Sequence, residues 1–206
     1  YISCGISAER VFLSYYGTDV EEIAPVGRSM RLRRELGISD RTPLVGMVSY
    51  IYRPKYELGR FRGVKGHEDF IHAVAQCRRS IPDLRAVVIG GSWIGAAGYE
   101  RRLRELAVRT CGDAIAFLGT RGDVRDLYED LDVAVHPSLS ENVGGAVESL
   151  LQAVPTIATS VGGFPDLGGS LRVRSGGTFD FFETGILRHL EFFLHGGGST
   201  EHTEQH

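Results

Sequence analysis

Two segments of this chain concentrate residues able to handle a charged, hydroxyl-rich ligand. The first, YRPKYELGRFRGVKG, carries Arg53, Lys55, Arg60, Arg62 and Lys65 against the single carboxylate of Glu57. It runs into a helical pattern that begins near Gly66. A helix amino terminus offers unpaired N–H groups and a positive dipole end, so cations placed there complete a seat for phosphate. The same charge run also fits a solvated basic loop.

The second segment, SLSENVGGAVESL, sets Glu141 and Glu148 seven positions apart around Gly144 and Gly145. Glycines opening a helix let backbone amides approach a ligand without a Cβ in the way. Ionised carboxylates accept hydrogen bonds from hydroxyls strongly, which suits them to sugars and ribose. Taken singly, Glu148 also reads as a carboxylate complementing a helix dipole, and Glu141 as a solvated loop acid. A further glycine pair, Gly162-Gly163, offers either another close backbone approach or a tight turn.

The elements that position these loops are legible as alternating apolar runs and amphipathic segments. Residues 44–51, 84–91, 114–119, 132–138 and 154–161 read as buried strands. Segments 67–80, 99–110, 123–131 and 145–153 read as the helices between them. That rhythm predicts a doubly wound, Rossmann-like α/β domain with a parallel sheet over roughly residues 42–167. In such sheets ligands bind beyond the carboxyl ends of the strands, where both segments fall.

The ends fit less well. Residues 11–13 suggest a strand and residues 28–36 a helix, so residues 1–41 read as a connector from an upstream domain. The stretch GGSLRVRSGG reads as loop, and residues 179–194 as one apolar helix that extends the domain to residue 195. Residues 196–206 read as a disordered tail.

Composition excludes several classes. The 206 residues carry a formal net charge of -3, which gives no overall basic field for nucleic acid or membrane. Three separated cysteines without a Cys-x-x-Cys pair read as reduced thiols, hence a cytoplasmic location, peripheral at the inner membrane face at most. No run of about 18 apolar residues is present, and no signal peptide is expected. His189, His195, His202 and His206 lack compact ligand spacing, so no metal site is expected. His136 reads as a bonded strand-end histidine near the crevice, and His67 as part of a first helical turn. Trp93 and Tyr99 suit either stacking on a base or packing under a loop.

In order, VKGHEDFIHAV (64–74), LRAVVIGG (84–91), AIAFLGTRGDVRDLYEDLDVAVHPS (114–138), SENVGGAVESL (140–150) and PTIATSVGGFPD (155–166) resemble the retaining glycosyltransferases of family 4. The match is to their carboxyl-terminal, donor-binding GT-B domain. The resemblance implies that Lys65 binds the pyrophosphate of a UDP-, GDP- or ADP-sugar, without metal or other cofactor. It implies that Glu141 faces the transferred sugar as the catalytic carboxylate and Glu148 holds the ribose hydroxyls. Asn142 and the amides of Gly144 and Gly145 complete the donor site. The family's glutamates are separated by seven residues and these by six. The family's arginine at the end of the first strand is replaced by Tyr50, leaving Arg53, Arg60 or Arg62 to partner Lys65. The resemblance further implies a missing amino-terminal acceptor domain, an acceptor that is a glycan, lipid or small molecule, and an isolated chain that transfers little. A nucleotide-sugar 2-epimerase or phosphorylase on the same architecture, and a non-catalytic nucleotide-binding module, are the other readings.

Overall fold

The computed structural model describes residues 1–12, 27–59, 61–141, 144–164 and 171–173. Its centre is a six-stranded sheet, parallel throughout, in the order β3-β2-β1-β4-β5-β6. The strands are β1 (Leu44–Val48), β2 (Arg85–Ile89), β3 (Ile115–Gly119), β4 (Val133–His136), β5 (Thr156–Thr159) and β6 (Leu171–Val173). The helices are α1 (Arg31–Glu35), α2 (His67–Cys77), α3 (Ala97–Cys111), α4 (Val124–Tyr128) and α5 (Gly144–Leu151).

The strands read as continuous apolar runs because both sheet faces are covered. Successive residues point to opposite faces, so Val87 joins a core layer with Leu32, Leu44 and Leu127 while Val88 joins Phe70, Val74 and Leu103 on the other side. Phe70, Ile71 and Val74 are fully buried on α2, and the 3.6-residue period that suggested the helix is the period of that burial. The expected α/β architecture is therefore present.

Two expectations at the ends are corrected. Val11 and Phe12 form no strand; Leu13 lies outside the described residues. The segment taken as loop contains β6, whose Leu171–Val173 pairs in parallel with Ile157, Ala158 and Thr159. Three residues between glycines are too short to show a strand period, and neighbouring β5 supplies the order. The helix expected over residues 28–36 is shorter, running Arg31–Glu35. Its start is fixed from a distance: the Asp130 carboxylate accepts from the Met30 and Leu32 amides at 2.8 and 2.7 Å. Buried Arg33 ties the same segment to the sheet through Asp132 at 2.7 Å and the carbonyls of Ser39, Asp40, Thr42 and Asp130. The apolar helix expected over residues 179–194 and the tail beyond it lie outside the described residues.

Candidate functional site

The strand order reverses between β1 and β4: the chain winds outward to β2 and β3 on one side and to β5 and β6 on the other. At such a switch point the loops leaving the two central strands diverge to opposite faces and open a crevice. A cavity of about 310 Å³ occupies it. Its floor comes from the carboxyl ends of β1 (Met47, Val48), β2 (Ile89) and β4 (His136), and its walls include Lys65, Arg121, Glu141 and Glu148.

Lys65 is placed by contacts on both sides of it. Gly66 has φ +73°, and a Cβ there would lie 2.0 Å from the Pro137 carbonyl oxygen, so only glycine lets the two backbones meet. The Leu139 amide donates to the Val64 carbonyl at 2.8 Å, which lashes the same segment to the loop after β4. From below, the Tyr99 hydroxyl on α3 accepts from the Gly63 amide at 2.9 Å and donates to Glu68 Oε1 at 2.5 Å. Tyr99 thus packs under the loop. Burial first, and then the bond to Glu68, push its phenol far above the ordinary range, so it stays a neutral donor.

Lys65 Nζ lies 2.5 Å from Glu141 Oε2, which also accepts from the Ser138 hydroxyl at 2.8 Å. Both charged side chains are mostly buried. The backbone of Glu141 is held by the turn after β5. Gly162 has φ +58°, and a Cβ on it would lie 1.8 Å from the Glu141 carbonyl oxygen. The glycine pair after β5 therefore makes its close approach to protein backbone.

Burial, and then the neighbouring Lys65 cation, lower the imidazole pKa of His67 to about 3 and of His136 to about 4. Both rings are neutral at pH 7. His136 Nε2 lies 3.2 Å from Ser149 Oγ, which accepts from the Thr156 hydroxyl at 2.8 Å and donates to the Ala146 carbonyl. That chain ties β4 and β5 to α5. Glu148, a turn beyond Gly144 on α5, has its pKa raised by burial. A carboxylate poorly solvated in this way gains from a hydroxyl donor delivered by a ligand.

Three of the residues singled out from the sequence, Lys65, Glu141 and Glu148, line this one cavity. Gly144 and Gly145 open the helix that carries Glu148. Arg62 lies elsewhere: it is ion-paired with Asp69 in the first turn of α2 and lines a neighbouring cavity. Arg53 lines that neighbour too, 3.7 Å from Glu57. Arg53 and Arg62 thus line the neighbouring cavity and not the crevice, each beside a carboxylate of its own neighbourhood. Arg60 and Asn142 lie outside the described residues.

Sequence reasoning missed Arg121, which follows β3 and lines the crevice while bonding Asp123 and Glu35 at 2.8 Å each. Its signal was available: Thr120-Arg121 directly follows a strand end. Ser49, Tyr50 and Thr120 complete that side. Among the described residues no group of three or more His, Cys, Asp or Glu is arranged to hold a metal ion. Also among them, no helix is long and apolar enough to cross a membrane.

Lys65, Glu141 and Glu148 thus meet in one crevice at the switch point of an all-parallel sheet. The family model described as Glycosyl transferases group 1 matches residues 57–185, and the chain belongs to that family. It is 34% identical over 160 residues to the D-inositol 3-phosphate glycosyltransferase of Corynebacterium jeikeium, covering 72% of this chain and 35% of the relative. Among solved structures, HepE of Anabaena in complex with UDP-glucose is similar with a TM-score of 0.76 and 25% identity, covering 93% of this chain and 51% of that one. The carboxyl-terminal domain of the group 1 glycosyl transferase LpcC of Francisella tularensis shares the fold at a TM-score of 0.62 and 21% identity, covering 87% of this chain and 88% of that one. The chain therefore spans about a third of the curated relative and about half of the HepE chain.

Proposed function

We propose that this chain is the donor-binding half of a retaining, metal-independent glycosyltransferase that uses a nucleotide sugar. The carrying observation is that Lys65, Glu141 and Glu148 line one cavity at the switch point. Lys65 and the amides opening α5 at Gly144 and Gly145 hold the diphosphate, Glu148 accepts from the ribose hydroxyls, and Glu141 faces the sugar. When the bond from the sugar C1 to the diphosphate breaks, negative charge grows on the departing phosphate oxygens. Donors fixed there in advance stabilise that charge more than the ground state and lower the barrier. The acceptor hydroxyl enters from the face the diphosphate leaves. Its placement falls to a second domain, so the isolated chain binds donor and transfers little.

HepE was solved with UDP-glucose, and that supports a nucleotide sugar as the ligand class. Calorimetric titration with UDP-, GDP- and ADP-sugars tests the reading, with Lys65→Ala and Glu148→Ala as controls. Saturable binding of one base class, weakened in both variants, is expected. A folded sample that binds no nucleotide sugar would sink the proposal. A 2-epimer or a phosphate-dependent product would move the chain to the epimerase or phosphorylase readings. Binding without turnover by the chain joined to an amino-terminal domain would leave a nucleotide-binding module.

A further inference from the structure

His136 closes β4 and lines the donor crevice, with only 5% of the residue exposed. A polar ring so enclosed is expected to use both of its nitrogens. It uses one. Nε2 meets Ser149 Oγ at 3.2 Å, while among the described residues Nδ1 has no hydrogen-bond partner. Nor is Nδ1 sealed from solvent, and the space that the residue lines is the crevice.

Which nitrogen carries the proton follows from counting donors around Ser149. The Ser149 hydroxyl has one proton, and the Ala146 carbonyl, 3.0 Å away, can only accept it. The Thr156 hydroxyl, 2.8 Å from Ser149 Oγ, brings its own proton, which the Val154 carbonyl shares. Ser149 Oγ is therefore an acceptor toward the ring. Nε2 donates to it, and Nδ1 keeps its lone pair. Phe164 packs against the same imidazole, with ring centroids 6.0 Å apart.

Resting on the donor reading, we infer that His136 presents Nδ1 as a neutral acceptor for a hydroxyl of the transferred sugar, with Ser149 as the positioning residue that fixes its tautomer. The location favours the sugar over the ribose. Lys65 is the charged group whose field reaches the His136 ring, and the Lys65–Glu141 pair marks the end of the crevice where that reading puts diphosphate and sugar. Neutrality matters at this end. A further carboxylate beside the diphosphate would repel it, and a cationic imidazole would have no lone pair to offer. A neutral imidazole takes a hydroxyl and leaves the charge balance around Lys65 as it is.

Two substitutions separate the two nitrogens, because an Asn amide oxygen reaches the place of Nδ1 and a Gln amide nitrogen the place of Nε2. Calorimetry compares a nucleoside diphosphate with its glucose conjugate: UDP with UDP-glucose, or the GDP or ADP pair where that base binds. His136→Gln should weaken the conjugate about three- to tenfold, the order of one neutral hydrogen bond, and leave the free diphosphate as it was. His136→Asn should recover most of that loss. NMR of the His136 ring nitrogens in the unaltered chain should show a protonated Nε2 and a bare Nδ1. The Nδ1 resonance should move with the conjugate and not with the free diphosphate. Ser149→Ala should let the other tautomer appear in the same spectrum and weaken the conjugate. A protonated Nδ1 in the unaltered chain, equal loss of both ligands in H136Q, or loss of neither would overturn the inference while the donor reading stands. A folded, unaltered chain that binds no member of these pairs would overturn both together.

Discussion

The ammonium of Lys65 is neutralised by Glu141, 2.5 Å away, inside the cavity that both residues line. The pair joins two loops that follow different strands, β1 and β4, across the switch point. It also makes the two residues competitors with a ligand. A diphosphate that takes Lys65 competes with the glutamate for its charge, and a carboxylate released in that way becomes available to whatever sugar the diphosphate carries.

Replacing Glu141 by Gln removes that competition. UDP should bind the E141Q chain about three- to tenfold more tightly, the order of one charge-assisted contact of roughly 1 kcal/mol. Lys65→Ala should weaken UDP at least tenfold. Calorimetry reads both. Weaker UDP binding by E141Q would show that the glutamate assists the diphosphate rather than opposing it.

Tyr99→Phe deletes one hydroxyl and leaves the ring packing intact. The Gly63 amide and Glu68 each lose a partner, and a loss of about 1–2 kcal/mol in unfolding free energy is expected. Because Gly63 lies two residues before Lys65, donor affinity should fall as well. Urea titration and calorimetry on the same sample separate the two effects. Unaltered donor affinity in Y99F would show that the loop holds its shape without the clamp.

The turn after β5 should tolerate no side chain. Gly162→Ala combines a left-handed backbone with a contact of 1.8 Å to the Glu141 carbonyl, so the turn or the glutamate must shift. A destabilisation of about 1–3 kcal/mol is expected, with donor affinity reduced. Gly122→Ala is the control: a Cβ there meets nothing within 4 Å. Equal behaviour of the two variants in thermal unfolding would refute the backing role assigned to Gly162.

Acid should destabilise the fold through the buried imidazoles of His67 and His136. The folded-state pKa values of His67 and His136, about 3 and about 4, lie below the 6.5 of a free imidazole. Between those values the unfolded chain binds more protons than the folded one, so stability is full above pH 6.5 and falls as pH drops toward 4 and then 3. The slope reaches about 1.4 kcal/mol per pH unit for each histidine. Urea unfolding at pH 7.5, about 5.5 and about 4.5 measures it, and His136→Asn should flatten part of the dependence. A stability that stays level to pH 4.5 would contradict the burial-driven shifts.

The central strands and helices could be read from sequence because burial imposes their pattern on each residue in turn. Val87 and Val88 serve two opposite cores, so apolar side chains must run without interruption, and Phe70, Ile71 and Val74 repeat at the helical period. Lys65, Glu141 and Glu148 were legible for a related reason: the first two stand in loops after strands, and Glu148 in the first turns of the helix that follows one, at places set by strand order. Arg62 and Arg121 show where such reasoning stops. Both are loop arginines: Asp123, two residues on, is a visible partner for Arg121, but nothing nearby in sequence reveals that Asp69 draws Arg62 aside or that Glu35 helps hold Arg121 at the crevice. Leu171–Val173 forms β6 only because β5 lies beside it. Position set by tertiary partners leaves no local trace.

The Gly63–Tyr99 bond spans 36 residues of chain. During synthesis, β1, the basic loop and α2 therefore emerge before the residue that braces Gly63. Until α3 has left the ribosome and docked on α2, the Lys65 segment has no floor. A nascent chain thus fixes the Lys65 segment late, after the first strand–helix–strand unit has closed.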